Sequence, residues 1–339
     1  MNDGDLTKRK IDRIRDSAGS FKVGDDSDGS ISSMTTIGGR LYLIKEKSIY
    51  VFSFADEIDP DRKREDIPNT IQKVFDVGSN DEVVIRTILT GIELFKKDRL
   101  VDSVDFEAAL SSAMEILRDL AAAIAVIEEV EAFLAKTRGE QVVSKDRAVS
   151  LPSFPALQAQ TKNFIQKLDH AMQNIFNLIC VFYDEKTLRS AGKWLDGLAN
   201  HLSNTLKPDE NFVLFARELA VFGKMVRNTR HCIEHPKPTQ RIELSDYKIT
   251  ANLECEEPSI SVIHDETPID PTPIDQFLRH YYENALAGAE LLMAHLAMYH
   301  VATFGKFPIG VGEIPEGQRI NGVRFGYLMN MGGKLQRLG

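Results

Sequence analysis

A chain of 339 residues, 43% hydrophobic and 27% charged, has the balance of a globular protein with ample surface to bury, in one large domain or two modest ones. Its formal net charge of -9 excludes a protein that tracks nucleic acid along its whole surface.

Residues 1–33 are polar and rich in Gly, Ser and Asp, with a basic cluster of Lys8, Arg9, Lys10, Arg13 and Arg15 that reads as a solvated, partly helical arm. Leu41–Ile44 and Ile49–Phe54 are short β-like runs rich in aromatic and β-branched residues. Gly38-Gly39 before them signals a turn, so a hairpin or small sheet is expected between about 34 and 55. A charged loop over 56–66 leads to two expected helical pieces, near 69–76 and 80–97, the second opening on Asn80. Residues 1–100 thus form a small α+β appendage with a polar arm.

From about residue 103 the pattern changes to long helices. Ser103 or Asp105 caps the first and Gly139 suits its end. Ile165, Leu168, Met172, Ile175, Ile179 and Phe182 then recur by three and four, as do Leu188, Ala191, Leu195, Leu198 and Leu202. Phe212, Phe215, Leu219, Phe222 and Val226 mark a further helix, which Pro236 and Pro238 end because proline lacks the amide donor and clashes with the preceding turn. Alternation at Tyr247, Ile249, Ala251 and Leu253, a turn at Cys255–Pro258 and a run at Ile260–Ile263 predict an inserted β-hairpin. A last helix follows over about 273–304, and the glycine-containing tail, 306–339, reads as irregular. The expected fold is mainly α: an antiparallel helical bundle over 101–305 with one inserted β-hairpin.

Cys180, Cys232 and Cys255 are odd in number and show no C-x-x-C spacing, which fits a reducing compartment. No segment reaches the ~18 consecutive apolar residues of a membrane span. Met1–Asp5 carries neither the basic nor the apolar part of a signal peptide. A cytoplasmic location without a membrane partner is expected.

The chemistry concentrates at residues 227–238. From Lys224 to Arg241 the chain carries Lys224, Arg227, Arg230, Lys237 and Arg241 against one acid, Glu234, with His231 and His235 among them. The negative end of a helix dipole favours one or two cations, but not this density. Arg230-His231-Cys232-Ile233-Glu234-His235 resembles the R-x4-H motif of HEPN domains, all-helical domains found in many prokaryotic toxins and defence ribonucleases. The resemblance implies a HEPN-like bundle that cleaves RNA without a metal or other cofactor, at a homodimer interface, with an antitoxin or regulatory partner. Where one subtype carries a tyrosine two residues after the histidine this chain has Lys237, so modification of that tyrosine is not implied.

In this reading His235 is the base or acid and Arg230 the phosphate clamp, with His231 orienting its neighbours or sharing the proton transfer. Histidine titrates near neutrality, and the arginine fork fits two phosphate oxygens. Arg227, Asn228, Lys224 and Lys237 are candidate RNA or phosphate contacts. Residues five apart on a helix point ~140° apart, so Arg230 and His235 do not share a face, whereas Arg227 and His231 do; a two-fold dimer would relieve that conflict. Two further readings remain. The motif could belong to a catalytically silent HEPN-like interaction or nucleotide-binding module. His231–His235 is also H-x-x-E-H, a zinc-hydrolase signature whose third ligand would come from downstream, Glu313 being the nearest candidate. Loop chemistry around Glu313 and a proline after the second histidine argue against zinc.

Overall fold

The apolar periodicity read above forms helices, but they share the chain with more strand than the sequence suggests. The computed structural model describes residues 9–17, 21–137, 142–143, 148–252, 254–302 and 309–338. The chain divides into two compact units, Met1–Ile85 with Ile320–Gly322, and Arg86–Arg319 with Val323–Gly339.

In the first unit a short helix α1 (Lys10–Arg15) precedes an antiparallel meander of β1 (Ile31–Ile37), β2 (Arg40–Lys45), β3 (Ile49–Ser53) and β4 (Thr70–Phe75), with α2 (Ala55–Ile58) between β3 and β4 and α3 (Glu82–Val84) after it. Gly38 and Gly39 form the tight β1–β2 turn, both at positive φ (56° and 77°), the combination a two-residue hairpin demands and glycine supplies. Leu43, Tyr50 and Phe52 form a buried cluster on one face of the sheet. The basic arm is not free: Lys10 pairs with Glu65, and Arg15 with Asp56 and Asp59. Lys8 lies outside the described residues. Thr70–Phe75 is a strand, not the expected helical piece, because β3 offers it a ladder in which Val51 faces Gln72 and Phe52 faces Ile71.

The second unit opens with α4 (Thr90–Leu94) and α5 (Phe106–Thr137). After the short strands β5 (Val142–Val143) and β6 (Val149–Ser150) come α6 (Leu157–Phe182), α7 (Glu185–Ala191), α8 (Leu195–Thr205) and α9 (Asn211–Glu234). Next are β7 (Arg241–Ser245), β8 (Lys248–Ile249), β9 (Cys255–Glu256), β10 (Ser259–Ile263) and β11 (Ile269–Pro273), followed by α10 (Ile274–Tyr299). The chain closes with β12 (Ile309–Glu313), β13 (Phe325–Met331) and β14 (Lys334–Arg337). Helix α6 packs on both α5 and α9, and α10 packs on all three. Leu168, Met172, Ile175 and Ile179, the residues of the predicted seam, are fully buried together with Ile116, Leu117 and Leu120 of α5.

The expectation of a mainly-α bundle with one hairpin does not hold. The fold is mixed α/β, about 50% helix and 21% strand. The described residues form one four-stranded, two three-stranded and two two-stranded sheets, all antiparallel. The expected hairpin pairing is replaced: β10 lies between β7 and β11, Val262 facing Ile242 and Ile260 facing Thr272, while the Tyr247 region makes only the β8–β9 pair. The tail, read as irregular, forms the sheet β12-β13-β14. Gly326 in this sheet marks close packing instead of loose backbone: a Cβ on it would lie 2.8 Å from Ile314 Cδ1 and 2.9 Å from Glu93 Oε1.

Charged groups inside this unit are paired. Glu290 of α10 is fully buried and accepts from Arg86 Nε at 2.8 Å and from Arg324, and Glu93 pairs with Arg337 at 2.8 Å. Two histidines are held neutral instead. Burial depresses the pKa of His295, which stacks on Phe212 at 4.9 Å, and of His300, set against Phe182 and Tyr183. Above the ordinary value of 6.5 both folded and unfolded imidazoles are neutral and contribute no pH dependence. Below it the unfolded chain binds protons that the folded one resists, so stability falls as pH falls. The thermal midpoint should therefore drop between pH 7 and pH 5, and drop less in His295→Phe; an identical pH slope in that variant would contradict the assignment.

Candidate functional site

Helix α9 ends where the sequence says it must. His235 leaves helical geometry (φ -134°, ψ 61°) ahead of Pro236, and its N–H still closes the last turn on the His231 carbonyl at 2.9 Å. The chain then turns tightly, Lys237 and Gln240 exchanging backbone hydrogen bonds, and enters β7.

The motif residues divide among three directions. Lys224, Asn228 and Cys232, spaced by four, stack along one face and hold the segment after β10. Lys224 Nζ pairs with Glu266 at 2.7 Å, Asn228 Nδ2 donates to Thr267 Oγ1 at 3.2 Å, and the Cys232 thiol donates to the Ile263 carbonyl at 3.7 Å. Arg230 turns towards α6. Its Nη1 meets Asp169 Oδ2 at 3.1 Å and its Nη2 meets Glu234 Oε2 at 3.0 Å. Asp169 is fully buried and also accepts from Gln173 at 2.6 Å, while Gln166 donates to Glu234 at 3.2 Å. The Gln166 hydrogen bond and the Arg230 charge hold the Glu234 carboxyl below its ordinary range. Among the described residues, Asp169 Oδ1 and Arg230 Nε remain buried without a hydrogen-bond partner.

The third direction is solvent. His231 and His235 are exposed side by side, ring centroids 5.1 Å apart and planes tilted by 55°. Arg227, one turn before His231 on the same face, is exposed and lays its guanidinium over the Trp194 ring, Cζ 4.0 Å from the centroid. Neither histidine nor Arg227 forms an ion pair with a carboxylate among the described residues. Lys237 is exposed on the following turn. The structure thus brings Arg227, His231 and His235 to one open surface, ties Arg230 beside them into the helix packing, and places Lys224 and Asn228 in the contact with the β10–β11 segment.

Trp194 is there because of two glycines. The seam Leu188–Leu202 is not one helix but α7 and α8 with a corner at Gly192-Lys193-Trp194, where Trp194 takes φ 53°. Gly223 of α9 leaves room for that corner: a Cβ on it would sit 2.5 Å from Leu195 Cδ1 and 3.0 Å from Trp194 Cζ3. Gly197 lets α8 approach α7, since its Cβ would come within 2.5 Å of the Leu188 carbonyl oxygen. Gly197→Ala should therefore lower stability by about 1–3 kcal/mol through overpacking against backbone, although alanine is the better helix former by about 1 kcal/mol; a stabilised variant in a denaturant titration would refute this packing.

Glu313, the downstream residue weighed as a third zinc ligand, pairs with Arg319 at 2.8 Å. Among the described residues no group of three or more His, Cys, Asp or Glu converges as a metal site, so H-x-x-E-H gains no third ligand there. Nor is any helix among them long and apolar enough to cross a membrane. Comparison of the chain with protein-family models, with curated proteins and with solved structures finds no match. Asp169, Lys193 and Trp194 belong to this neighbourhood without a motif to announce them; the one signal in the sequence is an acid on the buried stripe of α6, directly after Leu168.

Proposed function

We propose that the exposed end of α9 is the working site of a metal-independent endoribonuclease of HEPN type, acting as a homodimeric toxin or defence effector. The observation that carries the reading is the juxtaposition of two exposed imidazoles, 5.1 Å apart, with an exposed guanidinium one turn earlier on the same face. RNA supplies its own nucleophile, the 2'-hydroxyl. One imidazole removes that proton and the other protonates the departing 5'-oxygen, as general base and general acid. As the 2'-oxygen bonds to phosphorus and the 5'-oxygen leaves, a 2',3'-cyclic phosphate and a 5'-hydroxyl result.

Charge on the phosphate falls to Arg227, which has no carboxylate partner among the described residues and presents a planar fork. Arg230 we assign as a positioning residue: with Nη1 on Asp169 and Nη2 on Glu234 it fixes the last turn from which both histidines project. The same ion pairs favour the silent module as the second reading, because they engage both Nη atoms of Arg230 with no ligand at all. The two readings separate in one assay. A mixed RNA pool incubated with the protein in EDTA should be cut, and DNA of the same sequences should not. An RNA pool left intact across buffers and salt concentrations would leave the silent module as the better account.

A further inference from the structure

Around Arg227, one turn before His231 on α9, the α7–α8 corner borders an open cavity of about 410 Å³ whose walls include Gln173 and Asn177 of α6, Arg189 of α7, Lys193 and Trp194, and Arg227 itself. Every charged group lining it is cationic. Arg189 is paired with Glu185 of its own helix, both largely exposed, a contact of small net worth in water. Lys193 is exposed and forms no ion pair among the described residues. The amides of Gln173 and Asn177 bring both donors and acceptors. Trp194 presents an aromatic wall from a half-buried corner at positive φ, a conformation costing about 1–3 kcal/mol in a non-glycine residue. Cations, amides and an aromatic ring around one cavity match the three chemistries of a nucleotide: phosphate, base edge and base face.

We infer that this cavity holds the nucleotide next to the scissile phosphate of an RNA strand. The inference rests on the ribonuclease reading for which phosphate is cut, but not for the binding itself. Arg227 stands between the two sites, on the helix face of His231 and in the cavity wall, so it meets the scissile phosphate. Lys193 and Arg189 take the neighbouring phosphate, and the base lies against the stacked Arg227 guanidinium and Trp194 indole with its edge towards the amides. The geometry also gives the strand a direction of travel, from the His231–His235 pair along α9 to the corner.

Trp194 is the only tryptophan in the chain, so its emission reports occupancy directly. Titration of the full-length protein with a short 2'-O-methyl oligonucleotide, which cannot be cleaved, should quench that emission saturably, and added salt should weaken the effect. The double variant Arg189→Glu/Lys193→Glu should weaken binding of a labelled oligonucleotide by about tenfold or more in anisotropy. The double variant His231→Ala/His235→Ala should weaken that binding less than the charge reversal does, because neither imidazole lines the cavity. Adenosine monophosphate should bind more weakly than the oligonucleotide, and inorganic phosphate should not quench. Unchanged emission together with affinity unmoved by charge reversal would overturn the inference, as would a free mononucleotide binding more tightly than the strand. Saturable quenching with no RNA cleavage would support the cavity while overturning the ribonuclease.

Discussion

Replacing His235 or His231 by alanine should each slow RNA cleavage by about 10²–10⁴-fold, the usual contribution of a general acid or base. The two imidazoles act on opposite ends of one displacement, so the double variant should cost little more than either single one. Neither substitution should disturb folding. Both side chains are exposed at a helix end, where replacements stay within about 0.5 kcal/mol of neutral. Activity lost together with the thermal midpoint would indicate a structural role instead. Arg227→Ala should also reduce cleavage strongly, with its cost falling on kcat more than KM if the guanidinium meets charge that develops in the transition state.

Arg230→Ala should behave differently, and its effect is the largest expected on stability. Asp169 is fully buried in α6 with Arg230 as its cationic partner, so removing the guanidinium strands a carboxylate in the helix packing. Breaking a buried pair from one side costs about 3–5 kcal/mol; since the Arg230 side chain is 35% exposed, about 2–4 kcal/mol is the expectation here. The thermal midpoint should fall by roughly 2–4 °C for each kcal/mol. Arg230→Met combined with Asp169→Leu should recover most of the loss, because it removes the stranded charge along with the ion pair. Below its melting range Arg230→Ala should keep more activity than His235→Ala, with an unshifted pH profile. If Arg230→Ala is as stable as wild type but inactive, the guanidinium is the phosphate clamp and the assignment to Arg227 falls.

The difference between these two arginines shows what sequence periodicity can and cannot say. Spacing predicts that Arg227 and His231 share a face and that Arg230 and His235 do not, and in the structure Arg230 points to α6 while the histidines point to solvent. Nothing in the spacing identifies the acid waiting on α6, because Asp169 lies within an apolar stripe, where a charge is tolerated only when another helix brings its partner. The long helices α5, α6, α9 and α10 are legible because burial of one face repeats every three or four residues. The sheets are less so. Thr70–Phe75 takes strand form from its pairing with β3, a long-range contact that local propensity cannot encode. Gly310, Gly312 and Gly326 look like breakers, yet they are strand residues in β12 and β13, where Gly312 faces Gly326 across the ladder. The corner at Gly192-Lys193-Trp194 is hidden for a related reason: Leu188 and Leu195 keep helical spacing across it, and only the fit of Trp194 against Gly223 shows the break.

If the His231–His235 pair acts on RNA as proposed, the nucleophile is the RNA's own 2'-hydroxyl. A DNA oligonucleotide carrying one ribose tests it most directly. Incubated with the protein in EDTA, it should be cut once, on the 3' side of that ribose, leaving a 2',3'-cyclic phosphate and a 5'-hydroxyl, and His235→Ala should leave it whole. Cleavage elsewhere in the strand, products without the cyclic phosphate, or no cleavage under conditions where all-ribose RNA is cut would contradict the account.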